Sequence, residues 1–175
     1  REGNMPTALN AGEALGHRMG RWLFWSPVFI RMTRLEVFLP VSIAVLSLGA
    51  VGSALARIEP VFFFYFPTSR SFESNVVMFL FSWIGLFLLA EILCYLLFRR
   101  IGGDLQLLAG LSFSSLPLAI FPYIHMMIPA TASRYVLLAL QVWTLLLISS
   151  ALSFGKGLRL DRSIIISLII LYINI

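Results

Sequence analysis

The chain has 175 residues, 59% hydrophobic and 12% charged, with a formal net charge of +5 and a mean hydropathy of +0.93. A soluble domain carries about 25% charged and 45–50% apolar residues. This composition therefore excludes a water-soluble globular domain, and the natural unit of reading is the membrane span of about 20 apolar residues.

Residues Arg1 to Asn10 show no periodicity and read as a lead-in. From Ala11 to Trp25 the pattern is helical. Leu15, Met19, Trp22 and Leu23 share one side, and His17, Arg18 and Arg21 another. A basic face opposite a Trp-bearing apolar face suits a helix lying in the membrane interface, with Arg18, Arg21, Trp22 and Trp25 as its anchors. Ser26-Pro27 resembles an N-cap with Pro at the first helical position. The segment after it is either a connector packed against the spans or a surface that anchors or binds a partner. No cleavable signal peptide is read, because the first apolar run comes late and is long enough to span. Residues 1–35 thus form a cytoplasmic lead-in, and 36–175 a membrane domain of about five spans.

The first span runs from Glu36 to Ala56, with Pro40 near its start, where it is tolerated best. Gly49 with Ser53, and Gly52 with Ala56, make overlapping small-xxx-small pairs. These let a neighbouring helix approach closely, either within the fold or in a dimer. Arg57 to Asn75 reads as a loop of balanced charge. Its aromatic run, Phe62 to Phe66, suits an interfacial belt or a short re-entrant segment.

The second span, Val76 to Phe98, is stopped by Arg99 and Arg100. It contains Cys94, which has no partner for an internal disulfide, and Glu91, roughly 10–12 Å inside the charged end at 1.5 Å per residue. A carboxylate at that depth is by default a functional candidate. The third span, Leu105 to Ile128, carries Ser112, Ser114, Ser115, Pro117 and Pro122, so we expect it to be kinked or locally unwound. The fourth runs from Tyr135 to Phe154, with Gln141, Trp143, Ser149 and Ser150. After a basic turn, Ser163 to Ile175 begins a fifth span cut short where the chain stops. We expect the natural protein to extend beyond one or both ends.

The turns at Arg99–Asp104 and Lys156–Arg162 and the segment before the first span are the basic ones. With five spans they share a side, which the positive-inside rule makes cytoplasmic. The N-terminus is then cytoplasmic. Matching depths along the spans groups Glu91, Ser112, Ser114, Ser115, Ser149 and Ser150 into one polar layer, with His125 and Gln141 paired in the opposite half. Such a layer either satisfies backbone carbonyls and one buried acid or forms a proton or ion path.

No catalytic, cofactor or metal site is read. Asp104 lies in a turn with no second aspartate inside a span to share a proton. Ser112 to Ser115 have no histidine at matching depth to act as base. His17 and His125 are too far apart to share a metal, and no phosphate-binding loop is present. The arginines are scattered rather than gathered into a stripe, which argues against nucleic acid as a partner.

Two stretches, RRIGGDLQLLAGLSFSSLPLAIFPY from Arg99 and QVWTLLLISSALSFGKGLRLDRSIIISLII from Gln141, resemble the Yip family of five-span membrane proteins, named for interacting with Ypt/Rab GTPases. The resemblance rests on Gly102, Gly103, Leu116-Pro117, Trp143 and Gly155-Lys156, and covers roughly residues 30–175. It implies a helical membrane scaffold that binds other proteins. The chain lacks the acidic Asp-Leu-Tyr/Trp-Gly-Pro type motif associated with the eukaryotic branch, so a prokaryotic-type relative in an inner or plasma membrane is implied. The expected function is a non-enzymatic scaffold or accessory subunit whose partners are the bilayer and other membrane-protein subunits or itself. The alternative is a transporter or channel component centred on Glu91.

Overall fold

The computed structural model describes residues 35–61, 63–99 and 102–173. Of these, 83% are helical. The interfacial helix expected around Arg18, Arg21, Trp22 and Trp25 lies outside the described residues. In chain order the elements are α1 (Leu35–Ala56), β1 (Ile58–Val61), β2 (Phe64–Pro67), α2 (Phe72–Phe98), α3 (Asp104–Ser114), α4 (Leu116–Met127), α5 (Ala130–Lys156) and α6 (Leu160–Ile173).

Four helical stretches are long and apolar enough to cross a membrane: Leu39–Ala56, Phe72–Phe98, Asp104–Met127 and Ala130–Lys156. The segment expected as a fifth span forms α6, which has 14 described residues, fewer than the ~20 a crossing needs. Two helices begin earlier than hydropathy suggests. Ser71 caps α2, its hydroxyl accepting the Ser74 N–H, and Glu73 sits in the first turn, where an acid complements the helix dipole. Polar first turns of this kind are invisible to a search for apolar runs.

The broken span α3–α4 is the centre of the bundle. In its most apolar window 67% of residues are buried, against 17% for α2. Small side chains make this possible. Ala109, Ser114 and Ala119 are fully buried and let both α1 and α5 pack on the pair. Helix α6 packs on α5 and also touches α2. A cluster of Leu86, Ala90, Cys94, Leu107, Leu111, Leu152 and Ile166 joins α2, α3, α5 and α6 into one core.

The break falls at Ser115, which both ends α3 and precedes α4, with Pro117 in the first turn of α4. Pro lacks an N–H and is tolerated at a helix start but not inside one. Pro122 lies deeper in α4. Having no N–H, it leaves the Leu118 carbonyl without its normal partner four residues on.

Where the sequence suggests a loop, Ile58–Val61 and Phe64–Pro67 pair as an antiparallel hairpin with Glu59 opposite Phe66 and Pro60 opposite Tyr65. Phe63 at its tip is 1% exposed. Its carbonyl accepts a hydrogen bond from Gln141 Nε2 at 2.7 Å. Part of the expected aromatic belt is therefore bundle core. Phe66 remains exposed, and outside the bundle Arg70 pairs with Glu59 at 2.9 Å.

Candidate functional site

Glycine geometry sets up the most heavily charged contact among the described residues. Gly103, with φ +73°, precedes α3, and a Cβ there would strike the Gly155 carbonyl. A Cβ on Gly155 would in turn press on the Leu107 backbone at 3.0 Å. These two glycines let the start of α3 and the end of α5 meet backbone to backbone. The close approach puts Lys156, the last residue of α5, over the Gly102–Asp104 turn.

The Lys156 side chain is 0% exposed. Its Nζ lies 2.6 Å from Glu91 Oε2 on α2 and 2.7 Å from Asp104 Oδ1. It also donates to the Gly102 carbonyl at 2.9 Å. An ammonium has three donors and no acceptor, so every proton is used. Satisfaction of this kind is what makes a buried charge tolerable. The two carboxylates differ, since Asp104 is 64% exposed and Glu91 only 23%. Glu91 Oε1 is buried without a hydrogen-bond partner among the described residues. Three elements are thus tied at the basic end of the bundle. Nearby, the Arg162 guanidinium lies 5.3 Å over the Phe98 ring.

The serines grouped with Glu91 by depth are engaged elsewhere. Ser112, Ser114, Ser149 and Ser150 donate to the carbonyls four residues back, those of Leu108, Gly110, Leu145 and Leu146. Ser115 donates to Ser112 O. Ser149 also meets Ser167 on α6 at 2.9 Å. Depth matching places residues at one level without saying which way each helix turns them, and here the hydroxyls bond carbonyls of their own helix or break. The other suggested pair also separates: His125 Nδ1 lies 2.7 Å from Ser133 Oγ, while Gln141 serves the hairpin.

The small-residue face of α1 is occupied from within. A Cβ on Gly49 would meet Phe79 at 2.5 Å and Ala119 at 3.1 Å, and one on Gly52 would meet Tyr123 at 2.5 Å. Ser53 is fully buried and donates to Gly49 O, and Ala56 is half-buried. Within the chain this face lies against α2 and α4.

Lys156 and Asp104 are the residues that sequence reasoning missed as partners. Lys156 counts there only as a turn charge, because the apolar run ends at Phe154. The available signal is that a buried acid one or two turns inside a span requires a cation at a neighbouring helix end. Among the described residues, no group of three or more His, Cys, Asp or Glu side chains is placed to hold a metal. No protein-family model, curated protein or solved structure matches the chain.

Proposed function

We propose that the protein is a multi-pass membrane scaffold or accessory subunit that binds other membrane proteins and has no chemistry of its own. The observation that carries this reading is the state of Lys156, whose three donors are consumed by Glu91, Asp104 and Gly102 O. The ionisable groups best placed for transport are thereby spent on joining helices. What remains for interaction is surface. Helix α2 presents Phe81, Leu88, Ile92 and Leu96, all exposed, along one apolar side that meets lipid or another helix. On this reading α6 is the described part of a fifth span, the basic end faces the cytoplasm of a prokaryote, and the N-terminal segment lies on the membrane. The resemblance to the Yip family supports the same role.

A second reading, a transporter or channel component, is favoured by one feature, the unpartnered Oε1 of Glu91. Solubilisation of native membranes in mild detergent, followed by mass spectrometry of co-migrating proteins, separates the two. The scaffold reading expects a stoichiometric membrane partner whose association survives Glu91→Gln wherever the variant folds. A lone chain or self-assembly, with an ion or proton flux in liposomes that Glu91→Gln abolishes, establishes the transport reading instead.

A further inference from the structure

A cavity of ≈ 30 Å³ lies beside the break between α3 and α4, lined by Phe63 and Tyr65 of the hairpin, Trp83 of α2, Leu111 and Ser115 at the break, and Thr144 of α5. Its wall is largely apolar, yet two of the residues lining it carry unmatched polar atoms. Trp83 Nε1 and Thr144 Oγ1 are buried with no hydrogen-bond partner among the described residues. Thr144 is 1% exposed. Other hydroxyls of the same helix behave differently, for Ser149 and Ser150 return to the carbonyls of Leu145 and Leu146. A buried donor left unmet loses its hydrogen bond to water without replacement, and within lipid there is no bulk water to relieve it.

The chemistry of the wall specifies what would meet these atoms. Indole N–H is donor only, and the threonine hydroxyl both donates and accepts. Ser115 Oγ and Tyr65 Oη donate to Ser112 O and Leu118 O and keep lone pairs as acceptors. The set calls for a small molecule whose oxygen accepts and whose protons donate. One water needs roughly 10–15 Å³, whereas the cavity that takes benzene in an engineered protein is about 150 Å³. The volume therefore admits one or two waters and excludes a ring.

We propose that this cavity is a water-binding site, holding one or two molecules on Trp83 Nε1–H and Thr144 Oγ1 beside the helix break. The site does not depend on the scaffold role. Only its depth in the bilayer rests on these helices spanning one, and labelling of the turns from either side of the membrane tests that separately.

The test is rotating-frame cross-relaxation from indole N–H to water, on the full ¹⁵N-Trp-labelled chain in deuterated detergent. The Trp83 resonance is identified as the one missing in Trp83→Phe, and the sign of the cross peak separates contact from exchange. The expected result is a contact peak to water at Trp83, reduced at least about threefold in Thr144→Val and restored in Thr144→Ser, with the other indole resonances unmoved. A Trp83 N–H whose contact peaks go only to protein protons in the wild-type chain overturns the site. So does a water peak indifferent to Thr144→Val.

Discussion

The Tyr65 hydroxyl donates to the Leu118 carbonyl at 2.6 Å, taking up the acceptor that Pro122 cannot serve. A hairpin and a proline-broken helix, distant in the chain, are thus complementary, one supplying the donor whose absence the other creates. Tyr65→Phe keeps the ring and orphans the carbonyl. Its expected effect is a loss of about 1–3 kcal/mol in reversible unfolding in detergent. Adding Pro122→Ala, which restores an N–H at that position, should recover part of the loss, and a double-mutant cycle reads the coupling directly. Strict additivity would show that the hydroxyl and the proline act independently.

The Lys156 cluster carries an asymmetric prediction. Glu91→Leu leaves the buried ammonium one acceptor short, with Asp104 as its remaining counter-charge, and should cost about 1–3 kcal/mol. Lys156→Met strips the cation from both acids and leaves Glu91, whose Oε1 is already buried and unpartnered among the described residues, as a partly buried unpaired carboxylate, so it should cost more, about 3–5 kcal/mol. The double variant Glu91→Leu with Lys156→Met should be more stable than Lys156→Met alone, because it also removes the carboxylate left unpaired. Asp104→Asn should cost under about 1 kcal/mol, because Asp104 is largely exposed and solvent screens its pair. Denaturant midpoints of the four variants rank these effects.

On α1, Gly49→Ala places a methyl against the Phe79 ring. Overpacking of this kind costs about 1–3 kcal/mol. Trimming the obstacle with Phe79→Leu in the same chain should restore most of the stability. If the face served a dimer instead, Gly49→Ala would shift the sedimentation profile and Phe79→Leu would not repair it.

The glycines at the basic end should differ among themselves. Gly157 has φ +62° with open space around it, whereas Gly103 has φ +73° and the Gly155 carbonyl in the way. Gly157→Ala should cost about 1–2 kcal/mol, the usual penalty of left-handed backbone for a side chain. Gly103→Ala should cost more, because it also pries α3 from α5 and withdraws the acceptors from Lys156. Thermal unfolding of the two variants compares them.

Much of this architecture is local information. A helix in lipid satisfies its own backbone, so a run of about 20 apolar residues is enough to place it. The four long helices, the break near Ser115-Leu116-Pro117 and the unusual depth of Glu91 all follow from residues close in the chain. The serines were legible only as polar groups needing partners, and each finds a carbonyl within its own helix or break, which depth matching does not distinguish from a shared layer. Tertiary structure alone decided what meets what. Asp104 finds Lys156 because Gly103 and Gly155 bring α3 and α5 together, Tyr65 finds Leu118 because the hairpin folds into the bundle, and Gly49 and Gly52 turn inward to Phe79 and Tyr123. These are relations of rotation and approach between helices, set by side-chain volumes from distant stretches, and no single stretch of sequence contains them.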